Sequence, residues 1–403
     1  MIPSTPLKLF FRFCQLSLLL TLTTLSAQTL TWNGGAGGAW DLTTANWLDS
    51  DNNPVLWSQG ADAVILNTGK IFISPGIEVN NLTTNTTGGS GEVDLESGSL
   101  QISGTVSQEG TRKIHFRSTN ITGSGAVAFN GSLSTESILV RSSHNFSGTL
   151  QLGGTGYMQM EGLFTNAPYL EFTSADNGMR MTTRTGNTKT FSGISGASTG
   201  NYINSDANVT LAANVADTES HTFAGSLGQS SGTLSLTMQG EGTQIFTGAM
   251  SYDGATTVQG GVLQIEGIHS GTGGINVENG ELRLTASNEW RFVLQDEGIS
   301  NQITGNGLAA LDGTFRLDID SLTTELGSWQ LVDVGSLSET FGGTFGLKFM
   351  DGTEFDQSGN LYTSGDWTFD TTTGTLTAIP EPSTLVLLGL VGIAALTGLR
   401  RRK

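Results

Sequence analysis

A short unit recurs along the chain: a glycine, a small or variable residue, and then two apolar residues separated by one polar or charged residue. Alternation of this kind places both apolar side chains on one face of a β-strand, while the residue between them points away. The preceding glycine supplies a turn with unrestricted φ. The gaps between units are irregular, so the repeat predicts many short strands joined by turns of variable length. The units are Gly98–Ile102, Gly148–Leu152, Gly232–Leu236, Gly261–Ile265, Gly280–Leu284 and Gly313–Leu317.

The composition agrees with an all-β chain and excludes several other classes. Gly accounts for 56 of 403 residues, but Pro for only 7, and no Gly-X-Y period occurs, so collagen and Pro-rich linkers are excluded. Charged residues make up 13%, which is too low for intrinsic disorder of the charged kind. The net charge of -18 repels phosphate, so nucleic acid is not an expected partner.

Residues 1–27 have the pattern of a secretory signal peptide. Lys8 and Arg12 precede an apolar stretch, and a cleavage site is predicted between Ala27 and Gln28. We therefore expect export through the Sec machinery. The single Cys of the chain, Cys14, lies within the signal, so the mature protein has no disulfide and must be held together by its core and its backbone hydrogen bonds.

The last 24 residues, 380–403, have three parts in a fixed order. Pro380, Glu381, Pro382 and Ser383 come first, then an uncharged apolar segment, and finally a basic cluster of Arg400, Arg401, Arg402 and Lys403. The apolar stretch from 385 to 399 would span about 22 Å as a helix, and the basic stems can extend it toward the membrane surface. The pattern predicts a single transmembrane helix with the cations as a cytoplasmic membrane stop.

This tail resembles the PEP-CTERM protein-sorting signal of Gram-negative bacteria. The resemblance implies that an exosortase cuts near Pro380–Ser383 and releases or transfers the protein to the cell exterior, often in strains that make exopolysaccharide. The implied localisation is transient anchoring in the inner membrane, followed by the cell surface or the extracellular space.

A second resemblance covers residues 246–265 in the body of the chain. Tyr252, Gly254, Thr256, Val258, Gly261 and Leu263 match the pattern of the autotransporter-associated β-strand repeat. The resemblance implies a right-handed parallel β-helix, in which successive coils stack and corner loops vary in length. An antiparallel β-sandwich or jelly roll predicts the same alternation and remains the alternative fold. We expect a solenoid body over residues 76–379.

Residues 28–75 differ from the rest by their tryptophans, which are Trp32, Trp40, Trp47 and Trp57. A Trp-rich segment suits a cap that covers the first coil of a solenoid. The alternative is a glycan-stacking platform at Trp40 and Trp47, because indole faces stack well on sugar rings. Trp329 and Trp367 are expected in the closing coils before the tail.

Catalytic and metal-binding patterns are sparse. The four His residues lie far apart in the sequence, and solvated positions are expected for them. Asp318 and Asp320 alternate with apolar residues and are predicted to share one strand face, where two carboxylates could act as general acid and base on a polysaccharide. Asp49-x-Asp51-x-Asn53 begins like a calcium loop but lacks the later Gly and Glu, so we expect no cofactor beyond weak Ca²⁺ association with the acidic surface.

Together these patterns predict a secreted, non-enzymatic surface or extracellular-matrix protein with a structural or adhesive role. Its expected partners are the Sec machinery, an exosortase, the inner membrane and exopolysaccharide. Two alternatives use the same scaffold. One is a polysaccharide lyase or hydrolase, and the other is a glycan-binding module.

Overall fold

A computed structural model of the chain describes residues 27–379 except 87–90, 134–135, 175–179, 184 and 338. The predicted signal up to Ser26 and the tail 380–403, with its predicted sorting and membrane-stop residues, lie outside the described residues. The described chain is almost entirely β, with one 3-10 turn at Asp296–Gly298. It forms a parallel β-solenoid, as the sequence predicts, and the sandwich alternative is excluded by the parallel register of its ladders.

Each coil contributes strands to three faces, which follow one another in a constant order along the chain. Face one carries the longest continuous ladder. Its strands are Thr29–Trp32, Ala61–Ile65, Ile77–Thr86, Thr105–Gly110, Ala126–Gly131, Thr149–Gly154, Tyr169–Phe172, Gly193–Gly196, Ser220–Phe223, Thr243–Phe246, Val262–Ile265, Glu281–Leu284 and Leu308–Leu311.

Face two runs beside it, and isolated bridges at Met250 link its two halves. Its strands are Gly38–Trp40, Gly69–Ile73, Val93–Glu96, Ile114–Phe116, Glu136–Val140, Tyr157–Met160, Arg180–Thr183, Tyr202–Ser205, Ser226–Gln229, Ile268–His269, Glu289–Gln295, Thr314–Asp318 and Gly346–Phe349.

Face three consists of two ladders. The first joins the start of Ile77–Thr86 to Ser99–Ile102, Asn120–Gly123 and Asn145–Phe146. The second comprises Thr188–Phe191, Val209–Val215, Leu234–Gly240, Thr256–Val258, Ile275–Val277, Ile303–Gly305 and Val332–Val334.

Antiparallel strands cover both ends of the solenoid. Trp47–Leu48 pairs with Thr29–Trp32 and with Pro54–Val55 at the first coil, and Ile299–Ser300 pairs with Glu289–Gln295 near the last coils. A five-stranded antiparallel sheet, which we call the C-terminal cap, closes the C-terminal end of the solenoid. In spatial order its strands are Gly327–Gln330, Thr375–Ala378, Trp367–Asp370, Leu361–Ser364 and Asp356–Ser358. Trp329 and Trp367 therefore lie in this cap and not in closing coils. Antiparallel caps suit a solenoid because they cover the edge of the last coil.

The recurring apolar pairs form the core. Both members of each pair are buried, for example Leu150 with Leu152 and Leu282 with Leu284. The glycines that precede them serve two purposes. Gly98, Gly232 and Gly261 have positive φ, as the sequence predicts. Gly148 does not, but a Cβ there would overlap the carbonyl oxygen of Gly125 in the preceding coil. Close stacking of coils is thus a second reason for glycine.

Candidate functional site

One row of side chains on face two points away from the core and is nevertheless buried. Register places its members opposite one another in successive coils, each between two inward-facing residues. None is more than 5% exposed. We call it the outer row; it consists of His115, Leu139, Gln159, Thr182 and Asn204. Side chains from different coils make polar contacts along and beside this row.

An ion-pair cluster surrounds His115 at one end of the outer row. His115 Nδ1 lies 2.9 Å from Glu92 Oε2 and 3.1 Å from Asp94 Oδ1. The guanidinium of Arg117 donates to the same two oxygens, with Nε 2.6 Å from Asp94 Oδ1 and Nη2 2.9 Å from Glu92 Oε2. Hydrogen bonding to Asp94 raises the pKa of Arg117, so its charge is fixed.

Glu92, Asp94 and His115 have the chemistry of metal ligands, and their ligand atoms lie within 4.8 Å of one another. Arg117 decides against a metal centre. Its guanidinium already neutralises the two carboxylate oxygens that a cation would need, and a divalent ion there would lie beside a permanent positive charge. The arrangement is therefore an ion-pair cluster that links neighbouring coils, and it does not resemble a metal site ready for loading.

The middle of the outer row contains a buried amide with an unused acceptor. Arg141 donates to Glu161 through Nε at 2.5 Å and Nη2 at 3.2 Å, and Gln159 Nε2 donates to Glu161 Oε1 at 2.5 Å. Gln159 is 1% exposed, and within the described part of the chain its Oε1 accepts no hydrogen bond. An unused buried acceptor costs free energy, which the other contacts of the cluster must offset.

Further along the row, Asn204 is held by three neighbours. Tyr202 Oη donates to Asn204 Oδ1 at 2.9 Å, while Asn204 Nδ2 donates to Ser230 Oγ at 2.7 Å and to Asp206 Oδ1 at 3.1 Å. Amide, hydroxyl, aromatic and arginine groups in one strip are the groups that hydrogen-bond and stack on sugars.

The four N-terminal tryptophans form a buried cluster. Trp40 and Trp47 are 0% exposed, and their ring centroids lie 4.7 Å apart. Trp57 contacts both rings, and Trp32 meets Trp47 edge-on at 5.1 Å. The interpretation of Trp40 and Trp47 as a glycan-stacking platform is therefore wrong for this fold, because their faces are covered by one another. The indoles suit the cap role, in which they fill the end of the solenoid.

Asp318 and Asp320 do not form a pair of carboxylates on one strand face. The strand ends at Asp318, whose carboxylate is bonded to Arg291, with Nε at 3.0 Å. Asp320 lies in the following turn, is exposed, and donates its backbone N–H to Asp318 Oδ1 at 3.1 Å. Burial alone would raise the pKa of Asp318, but the hydrogen bonds from Arg291 and Asp320 outweigh it and hold the pKa below its ordinary value. Such a carboxylate is poorly suited to donate a proton.

The remaining titratable candidates are structural. Asp49 Oδ1 accepts the backbone N–H groups of Asp51 and Asn53, each at 2.9 Å, so the calcium-like loop is closed by its own carboxylate. Solvated positions for the histidines are wrong in three cases, since His115, His144 and His269 are at most 3% exposed. They are buried because coil stacking brings them under neighbouring side chains, which sequence spacing does not reveal.

The outer row was not predicted from the sequence, although a signal for it exists. Residues 92–96 and 113–117 have the same alternating pattern, and their polar residues differ in charge. The structure pairs Asp94 with His115, which lie 21 residues apart, about one coil. Alignment of successive alternating segments would have placed the acids of the first beside the cations of the second.

Two regions of the chain match known protein families. Residues 378–403 match the PEP-CTERM protein-sorting motif. The chain carries a PEP-CTERM sorting motif. Residues 236–265 match the passenger-associated-transport-repeat. The motif implies export in a Gram-negative bacterium and sorting to the cell surface by an exosortase. No curated protein and no solved structure matches the chain. Among the described residues, no helix has the length and apolar character needed to cross a membrane.

The repeat in this PEP-CTERM chain has a clear structural basis. Tyr252 is fully buried, and its hydroxyl lies 2.7 Å from Thr256 Oγ1. A Cβ at Gly254 would overlap the carbonyl oxygen of Leu234 in the preceding coil. Val258, Leu263 and their neighbours then continue the core. The motif therefore encodes one corner of a coil together with the strands on either side of it.

Proposed function

We propose that this exosortase-sorted protein has a structural role at the cell surface and associates with exopolysaccharide through Arg141 and Tyr202, the accessible side chains beside the outer row. The observation that supports it best is the direct junction between a folded β-solenoid and a sorting motif: the last strand ends at Ala378, where the matched motif begins. A solenoid is a stiff spacer, because parallel ladders along its faces bond each coil to its neighbours.

The association with polysaccharide is supported by the chemistry of the outer row. Arg141 and Tyr202 flank the row on either side, and the Arg141 side chain is 44% exposed. The charge of the whole chain, -18, disfavours a polyanion. We therefore expect a neutral glycan. Polysaccharide cleavage has less support, because the acid pair on which it rested is not formed.

Sorting is tested by the fate of the tail. Mass spectrometry of surface-associated protein should show the mature N-terminus at Gln28 and the loss of residues after Pro380–Ser383. Substitution of Pro380 and Pro382 by Ala should leave the tail attached and the protein in the membrane fraction, since Pro holds the segment extended for the enzyme. An intact basic cluster, 400–403, on extracellular protein would contradict processing.

Association with glycan is tested by Arg141→Met, which keeps the aliphatic part of the side chain and removes the guanidinium. We expect retention on an immobilised neutral β-glucan to fall about tenfold, because a hydrogen bond to a charged group contributes roughly 1.5 kcal/mol. Arg283→Met is the matched control, since Arg283 lies on face one, is equally exposed, and donates to Glu281 through Nε at 2.7 Å and Nη2 at 2.8 Å. Equal loss in both variants would place glycan contact elsewhere.

A further inference from the structure

An apolar cleft of about 370 Å³ opens where the last strands of face two meet the C-terminal cap. Its apolar lining comprises Leu317, Ile319, Phe349, Met350 and Trp367. Phe349 and Trp367 meet edge to face, with ring centroids 5.6 Å apart and planes inclined by 76°. Met350 is 40% exposed at its mouth. A folded domain gains by covering apolar surface of this kind.

The rim of the cleft is acidic. Asp320, Glu325 and Asp351 line it, and all three are exposed. The backbone N–H of Thr353 donates to Asp351 and holds the pKa of Asp351 below its ordinary value, so that this carboxylate is ionised at neutral pH. The cleft therefore combines an apolar interior with a negatively charged mouth, a combination that suits an apolar segment carrying cations.

The last strand of the described chain ends beside this cleft. Ala378 is paired with Trp367, a wall of the cleft, and also with Gly327, two residues after the rim residue Glu325. Ile379 follows and is 67% exposed, and Leu326, which follows Glu325 in the chain, is 52% exposed. The tail therefore starts within a few residues of the cleft, where the chain carries exposed apolar side chains.

Residues 380–403 have the complementary chemistry. They contain the uncharged apolar stretch 385–399 and four terminal cations. Outside a bilayer, that stretch exposes apolar side chains at a cost of about 25 cal/mol per Å². We infer that, before the tail enters a membrane or is cut, a few side chains of its apolar stretch occupy the cleft of its own chain, and its cations are drawn toward the acidic rim. The contact goes beyond sorting itself, because it would keep the unsorted precursor from aggregating.

The test uses the chain from Gln28 to Lys403, which contains every described strand, synthesised in cell-free reactions without lipid. Trypsin cleavage after Arg400, Arg401 and Arg402 is followed by mass spectrometry. We expect slow cleavage in the wild type. Cleavage should be about tenfold faster in the double variant Met350→Asn with Leu326→Asn, which corresponds to a loss of ~1.4 kcal/mol in the binding of the tail to the cleft. Both positions are exposed, so the fold should be kept. Carbodiimide treatment should join Lys403 to Asp320, Glu325 or Asp351.

The matched control is Leu66→Asn with Phe72→Asn, which removes exposed apolar surface near the N-terminal end. Its cleavage rate should equal that of the wild type. Equal rates in the cleft variant and the wild type would overturn the inference. If protection of the tail from trypsin disappears on dilution, the tail is bound by a second copy of the chain. If protection arises only on adding phosphatidylcholine vesicles, the tail is bound by the bilayer. Either result also overturns the inference.

Discussion

His269 lies flat against Trp290, with ring centroids 3.9 Å apart and planes inclined by 9°. Both residues are at most 1% exposed. Burial lowers the pKa of His269 to about 4, although the charge of Asp253 and a backbone hydrogen bond at Tyr252 oppose the shift. Burial and the nearby charge of Lys189 lower the pKa of His144 to about 4 as well. The fold therefore holds these two imidazoles in their neutral form.

Because both imidazoles are buried in their neutral form, we expect the fold to lose stability at pH values above those at which carboxylates become protonated. Because the pKa of each His is lower in the folded state, the unfolded chain binds more protons between pH 4 and 6.5. Stability is complete above pH 6.5 and falls as the pH drops toward 4. At pH 5 the loss is roughly 2 kcal/mol per His. Urea unfolding at pH 7 and pH 5 measures it, and His269→Phe should reduce the difference; an unchanged difference would contradict the assignment.

Truncation in the tryptophan cluster should destabilise the fold. Trp40 contacts Trp47 and Trp57 and is fully buried. Trp40→Ala leaves a large cavity and should lower the free energy of unfolding by about 3–5 kcal/mol. Leu56→Ala, at a residue 50% exposed in the same segment, is the control and should change it by less than about 0.5 kcal/mol. A stable Trp40→Ala protein that had lost glycan binding would instead restore the stacking interpretation.

Replacing a glycine by alanine at a coil corner should destabilise the fold even where the φ of that glycine is negative. In Gly148→Ala the new Cβ would overlap Gly125 O, so that two coils must separate. We expect a loss of about 1–3 kcal/mol. Gly125→Ala meets no atom within 4 Å and serves as the matched control. Thermal unfolding of both proteins separates the clash from the general effect of replacing glycine, and equal midpoints would refute the stacking argument.

The Asp318–Arg291 pair predicts a structural role for this carboxylate. Its side chain is 7% exposed, so Asp318→Asn weakens a partly buried ion pair and should cost about 1–3 kcal/mol. Because the pKa of Asp318 is lowered in the fold, its contribution is present above the ordinary Asp pKa and is lost as the pH falls below it. Asp320→Asn, at an exposed residue, should be near neutral. Glycan cleavage abolished by Asp320→Asn in a stable protein would show that Asp320 is catalytic.

Much of the core could be predicted from the sequence, whereas the outer row left a sequence signal only at its His115 end. Leu-x-Leu alternation determines which side chains point inward, since period-two geometry is a property of a single strand. Leu100, Leu234 and Leu263 are buried as that rule requires. The order of proline, apolar and basic segments in the tail is likewise local, and it identified the sorting motif.

Contacts between coils depend on the length of the intervening loops, and these lengths vary. Val262 pairs with Glu281, 19 residues later, whereas Ile303 pairs with Val332, 29 residues later. Sequence spacing alone therefore did not bring Arg291 to Asp318, which lies 27 residues away in the next coil. The sequence by itself determined which residues enter the core and where the sorting motif lies. The stacking of coils decided which polar residues make contact outside the core. Such a contact joins residues one coil apart in the sequence, so it depends on the lengths of all the strands and loops in that coil.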